Sequence, residues 1–179
     1  MSQDILDQKN CTSAAYIDAV ASHFASVCVV TTEIDGEYFG LTATAVASVT
    51  ADPPRLLVCV NKSAFSHDKI IQSGRFCVNV LSTAHEDIAK RFAGHTDHYK
   101  ERITTQNWIK LSTGAPALKN ALASFDCILG ELSPQATHSV LFGDVIAVSK
   151  DETKVPLLYG ERQYWPLGDL VDTVSDDGR

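Results

Sequence analysis

Apolar side chains recur at Ile17, Val20, Ala21 and Phe24, the i, i+3, i+4, i+7 spacing that lines one face of a helix. From residue 27 to 34 the pattern becomes a β-rich run, followed by Asp35-Gly36, a strong hairpin signal because both residues tolerate positive φ. A second β-rich stretch covers residues 38–50 and stops at Asp52-Pro53-Pro54, because proline cannot donate to a sheet interior. Residues 55–61 and 75–81 predict further strands. Between them residues 66–71 predict a short helix, with Ser66 as N-cap and Gly74 beyond its end. Thr83 and Glu86 read as a capping box for a second helix, with Ile88, Ala89 and Phe92 facing the core and Gly94 closing it.

Residues 95–120 show no period and read as loop. Three more strands are predicted at 122–132, 139–148 and 157–159, the last extended to Trp165. No repeat, low-complexity block or Pro/Gly-rich linker divides the chain. One domain over residues 15–166 is therefore expected, between an N-terminal extension (1–14) and an acidic, fraying tail (167–179). Strands joined by tight turns outnumber those joined by helices. The expected class is mainly β, an antiparallel barrel with a few peripheral helices, and not a doubly wound parallel sheet.

Composition narrows the partners. The 179 residues are 45% hydrophobic and 21% charged, and a chain of this length can bury about 70% of its unfolded surface in one core. No apolar run approaches the roughly 18 residues of a transmembrane helix. Residues 1–10 (MSQDILDQKN) lack the basic and apolar regions of a secretory leader, so none is expected. Fifteen Lys and Arg against 22 Asp and Glu leave a formal charge of −7 with no basic cluster, so neither nucleic acid nor a membrane surface is an expected partner. Cys11, Cys28, Cys59, Cys77 and Cys127 are odd in number, widely spaced and without a C-x-x-C pair. Four of them sit in apolar stretches, where cysteine behaves as a small buried hydrophobe. A reducing, cytoplasmic setting is expected.

The common catalytic signatures are missing: the chain contains no G-x-G-x-x-G, G-x-x-x-x-G-K-[ST], G-x-S-x-G or H-E-x-x-H. His95 and His98, with Asp97 between them, have metal-ligand spacing but no evident third ligand, and no metal is expected. Two segments remain. In Gly40-Leu41-Thr42-Ala43-Thr44-Ala45-Val46-Ala47-Ser48-Val49-Thr50, small side chains let a flat ligand approach the backbone and hydroxyls can meet polar ring edges; ordinary threonine β-propensity would equally produce it. In Asn61-Lys62-Ser63-Ala64-Phe65-Ser66-His67 an amide, an ammonium and two hydroxyls lead into a helix start, either an anion cradle or a plain capped loop.

These pieces, taken in order, carry a resemblance. GLTATAV (40–46) with Ser48-Val49-Thr50 and Pro53-Pro54, then LVCVN (57–61), CVNVL (77–81), RFAG (91–94), His138 ahead of residues 140–145, and residues 157–159 resemble the flavin reductase family, whose fold is a split β-barrel. The likeness covers residues 17–166. Within the family it is greatest to the reductase components of two-component flavin monooxygenases, the 4-hydroxyphenylacetate 3-monooxygenase type among them.

The resemblance implies an enzyme that passes hydride from NADH or NADPH to FMN or FAD and hands reduced flavin to a separate oxygenase, as a homodimer. It implies that Thr42, Ala43, Thr44 and Ala45 line the isoalloxazine with Ser48 close behind. Asn61, Lys62, Ser63, Ser66 and His67 would hold the ribityl and phosphate end, and Phe92, Ala93 and Gly94 would border the flavin edge. His138 would stand by the nicotinamide as the catalytic group, and Tyr159 and Arg162 would touch the pyridine nucleotide. Relatives tend to be more basic near the C-terminus, where this chain has Glu161 and Trp165. Two other readings share the motifs: a bound-flavin reductase of another acceptor, such as a cobalt corrinoid or a pyrimidine-pathway partner, and a non-catalytic split-barrel carrier of flavin or haem.

Overall fold

A computed structural model of the chain describes residues 11–94, 106–151 and 153–168. The chain runs α1 (Ser13–Ala21), β1 (Ala25–Ser26), β2 (Cys28–Ile34), β3 (Glu37–Ala43), β4 (Val46–Ala51), β5 (Pro54–Asn61), α2 (His67–Ser73), β6 (Arg75–Val80), a 3-10 turn (Thr83–His85) and α3 (Glu86–Ala93). Then follow β7 (Trp108–Lys110), β8 (Pro116–Leu118), β9 (Ala123–Gln135), β10 (His138–Lys150), β11 (Leu157–Gly160) and β12 (Gln163–Pro166). Residues 1–10 of the expected extension, most of the acidic tail and the His95–His98 spacing lie outside the described residues.

Seven strands form one antiparallel sheet in the order β3-β2-β6-β9-β10-β5-β4. Its two outer strands, β3 and β4, are consecutive in sequence and joined only by Thr44-Ala45. Neighbouring Cα atoms are about 3.8 Å apart, so a two-residue link forces the two sheet edges together. The sheet therefore curls into a barrel whose seam is bridged covalently and not by a strand ladder. At the seam Ala45 accepts a hydrogen bond from the Cys59 backbone N–H at 2.9 Å. The expected single stretch over 38–50 is thus two strands, broken where the chain crosses the split.

Alternation along β2 explains why the run is apolar on both faces. Cys28 and Val30 enter the barrel interior with Val58, Val60, Ile70, Phe76, Val78 and Leu141. Val27 and Val29 face the other way, into a layer with Leu81, Ala89, Phe92, Trp108, Leu118 and Leu157. Fully buried Asn79 crosses this outer layer: its Oδ1 accepts from the Leu118 N–H (2.7 Å) and the Ser124 hydroxyl (2.9 Å), and its Nδ2 donates to the Val29 carbonyl. That pins β8 to the back of the barrel.

Several local expectations hold. Asp35 and Gly36 turn β2 into β3 with φ of 52° and 82°. Gly74 ends α2 in the left-handed region at φ 66°. Other details differ. Ser66 precedes α2 but makes no side-chain cap; its hydroxyl donates to the Gly40 carbonyl at 2.7 Å, tying α2 to β3. The capping box ahead of α3 is shifted one residue, to Ser82 and His85, because a 3-10 turn intervenes. The 95–120 stretch contributes the β7–β8 hairpin. The expected extension of β11 folds back instead as β12, at a turn where Glu161 and Arg162 both take positive φ. Helix α1 forms but ends at Ala21, so Phe24 of the expected stripe lies beyond it, and Ile17 and Val20 are exposed.

Candidate functional site

Five of the residues singled out from sequence meet at one cavity of about 230 Å³: Thr42, Ala43, Thr44, Ala93 and Tyr159. Three separate elements place them. Thr42 to Thr44 are the end of β3 and the start of the seam, Ala93 is the last residue of α3, and Tyr159 is on β11. The Thr42 hydroxyl donates to the Ala89 carbonyl at 2.7 Å and so sets α3 against β3. Val27 and Tyr164 complete the lining. Neither stands out in the sequence by itself. The signal for Tyr164 was available: Tyr159 and Tyr164 flank the turn symmetrically, and in an antiparallel hairpin such residues face each other. Their rings stand 5.2 Å apart at 65°. Burial pushes the Tyr164 phenol above its ordinary pKa, with Tyr159 adding to the shift.

Thr44 also lines a second and larger cavity, of about 560 Å³, which reaches from the seam to β4, β5 and β10 and includes Ser48, Val46, Leu56, Phe125 and Val145. Ser48 is thus joined to the first cavity through Thr44 alone. Ala45 is exposed at the seam between them.

The second group named from sequence forms a polar loop beside β5. Asn61 Oδ1 accepts from the N–H and hydroxyl of Ser63, both at 2.9 Å. Lys62 Nζ donates to the Ala136 carbonyl at 2.8 Å, and the Lys62 N–H to the Thr137 carbonyl. His138 is the register partner of Asn61 and is exposed, its Nδ1 2.9 Å from the Thr137 hydroxyl. The fold therefore sets His138 next to Asn61 and Lys62, and it lines neither cavity. Only the β5–β10 register reveals that neighbourhood.

The remaining residues are engaged internally. Ser66 is 4% exposed and bonded to Gly40. His67 is 6% exposed, with Nε2 2.9 Å from the Ser139 hydroxyl and Nδ1 2.7 Å from Asp68. Phe92 is core: it packs edge-on against Trp108 and lies where a Cβ on Gly40 would be, 2.8 Å away. Gly94 follows α3 in extended backbone. Arg162 is paired with Asp18 of α1 at 2.9 Å.

All five cysteines are free. Burial pushes the Cys28 and Cys127 thiols up to about 12 and raises that of Cys77, so these behave as apolar filling and not as nucleophiles. Among the described residues no group of three His, Cys, Asp or Glu could hold a metal ion, and no helix is long and apolar enough to cross a membrane.

Comparison with known proteins bears on this geometry. A family model described as "Flavin reductase like domain" matches residues 20–168. "FMN reductase (NADH) RutF" of Pantoea ananatis (strain LMG 20103) is 40% identical over 152 residues, covering 85% of this chain and 80% of that protein. Among solved structures, NADH:FAD oxidoreductase SgcE6 of Streptomyces globisporus C-1027, in complex with NAD and FAD fragments, is 27% identical with a TM-score of 0.78, covering 85% of this chain and 90% of that one. BorF, the flavin reductase component of a bacterial two-component tryptophan halogenase, is 30% identical with a TM-score of 0.78, covering 87% and 98%.

Proposed function

Because the chain belongs to the flavin reductase like domain family, we propose that it takes hydride from NADH, or NADPH, to FMN or FAD and releases the reduced flavin to a separate oxygenase component. The observation that carries this reading is the convergence of Thr42, Ala43, Thr44, Ala93 and Tyr159, from three elements, on one cavity. Its relatives support the donor and acceptor: one is named an FMN reductase (NADH), another an NADH:FAD oxidoreductase.

The lining suits a planar, uncharged ring. Alanine and threonine leave the backbone open to close approach, two tyrosines add aromatic surface, and among the described residues no charged side chain lines it. Flavin and nicotinamide supply the hydride chemistry themselves when bound. The chain's part is to hold the two rings in an attack geometry, which can lower a barrier by several kcal/mol. No side chain need act as a nucleophile.

Asn61, Lys62 and Ser63 are assigned to the ribityl and phosphate end. In a chain of net charge −7 the attraction for a phosphate has to be local, and Lys62 provides it. His138, adjacent to Asn61, is assigned to orient the nicotinamide from that side. Ser66 and His67 act by fixing the loop to β3 and β10 through Gly40 and Ser139.

A homodimer is proposed, supported by Tyr16, Ile17 and Val20 on the solvent face of α1 and by exposed Val49 and Val148 near the larger cavity. Sedimentation velocity tests it, and a concentration-independent monomer would exclude it. Five free thiols favour a reducing, cytoplasmic setting. The central test is anaerobic mixing with NADH and free FMN or FAD: the visible flavin absorbance should bleach catalytically. Persistence of that absorbance would remove the proposal.

A further inference from the structure

The loop at residues 61–67 is gripped at both ends by the segment that opens β10. At its entry the Lys62 N–H donates to the Thr137 carbonyl at 2.9 Å, and at its exit His67 Nε2 lies 2.9 Å from the Ser139 hydroxyl. Between those grips each turn is bonded to the last. The His67 N–H donates to the Ala64 carbonyl at 2.9 Å, and the Ala64 N–H to the Asn61 carbonyl at 3.0 Å. Ser66 adds its bond to Gly40 on β3, with three strands between β3 and β10 in the sheet order. Strand β10 is itself laddered to β5 and β9, so it is the loop, and not the strand, whose place depends on the His67 ring.

That ring is set from its other nitrogen. Nδ1 lies 2.7 Å from Asp68 Oδ1, and a carboxylate only accepts, so the ring proton belongs on Nδ1. Nε2 of the neutral ring is then the acceptor for Ser139. The connectivity Asp68–His67–Ser139 is that of a nucleophilic triad, but its burial is inverted: the Asp68 side chain is 91% exposed and Ser139 only 2%. A hydroxyl so deeply covered is out of a substrate's reach, so the relay holds and does not react. Resting on the reading that Asn61, Lys62 and Ser63 take the flavin phosphate, we infer that Asp68 is a positioning residue: by fixing the proton on His67 Nδ1 it locks the loop in place for that phosphate. Through space, a carboxylate beside the loop opposes an anionic ligand. Its two effects on flavin affinity therefore have opposite signs, which makes them separable.

The test compares wild type with Asp68→Ala and Asp68→Asn. Binding of FMN and of riboflavin is read by flavin fluorescence, and the protonated nitrogen of His67 by long-range proton–nitrogen NMR correlations in mildly alkaline buffer. Asp68→Ala should raise the FMN dissociation constant about three- to tenfold, the range for losing one charge-assisted hydrogen bond, and leave that of riboflavin within about twofold. The His67 proton should move from Nδ1 toward Nε2. Asp68→Asn keeps an acceptor oxygen and should bind FMN within about twofold of wild type. Tighter FMN binding by the alanine variant overturns the inference, because repulsion would then be all that Asp68 contributes. So does an unchanged FMN constant, an equal loss for riboflavin, an asparagine variant as weak as the alanine one, or an unmoved His67 proton. An alanine variant that fails to fold by circular dichroism overturns it too, since Asp68 would then belong to the framework of the fold. A wild type that binds FMN but bleaches none with NADH removes the reductase reading and leaves the role of Asp68 standing.

Discussion

The Thr42 hydroxyl donates to the carbonyl of Ala89 at 2.7 Å, across 47 positions of sequence. That bond joins an edge strand of the barrel to α3 beside the cavity that Ala93 and Thr44 both line. Replacing Thr42 with valine keeps the shape and removes the donor. The expected cost is about 1 kcal/mol of folding stability, read from urea denaturation. FMN affinity, read by fluorescence quenching, should fall several-fold with it because α3 loses its tether.

Thr44 is exposed and lines both cavities. A leucine there has room in the folded chain but not beside a ring. Thr44→Leu should weaken FMN binding at least about tenfold while leaving stability within about 0.5 kcal/mol, the usual range for an exposed position. Unaltered flavin affinity in a folded variant would move the ring site elsewhere.

Lys62 can be separated from the ring site by the choice of ligand. Lys62→Ala should raise the FMN dissociation constant about tenfold, the effect of losing one charge-assisted contact to a phosphate. Riboflavin, which lacks the phosphate, should bind the variant and the wild type alike. A parallel loss for both ligands would place Lys62 in a structural role through its bond to Ala136.

His85 should make stability depend on pH. Its Nδ1 lies 3.3 Å from the Ser82 N–H and 3.0 Å from the Ser82 hydroxyl, an acceptor role open only to the neutral ring. Burial, and next Lys154, lower its pKa from the ordinary 6.5. The unfolded chain then takes up the proton first. Stability is therefore undiminished above pH 6.5 and falls as pH drops through 6.5 toward the lowered folded value. His85→Gln keeps an acceptor that does not titrate, so urea midpoints collected across that window should show a shallower decline than wild type. Identical slopes would assign the acid sensitivity to other groups.

Much of the barrel was legible from local chemistry. Asp35-Gly36 predicted its turn because few residues adopt positive φ cheaply. Asp52-Pro53-Pro54 marked where β4 ends and β5 begins, since a prolyl nitrogen cannot donate to a ladder. The site was legible in part. Thr42, Ala43, Thr44, Ala93 and Tyr159, which the resemblance implies, meet at one cavity, whereas Phe92 and His67, which it also implies, are buried among their own neighbours. The helical spacing of α3, which points Phe92 at the core, holds, and only the resemblance adds a place at the flavin edge.

Sequence alone determined the β-rich run that becomes β2, the positions of the turns, the acidic net charge, and the small side chains at the end of β3. Each depends on a residue and its nearest neighbours along the chain. Tertiary structure decided that Thr44-Ala45 spans a split in the sheet, that His138 stands beside Asn61, and that Tyr164 shares a cavity with Thr42. Those are outcomes of strand order and register, selected by burial of the whole core and not by any short segment. No local preference encodes which distant strand will be its neighbour.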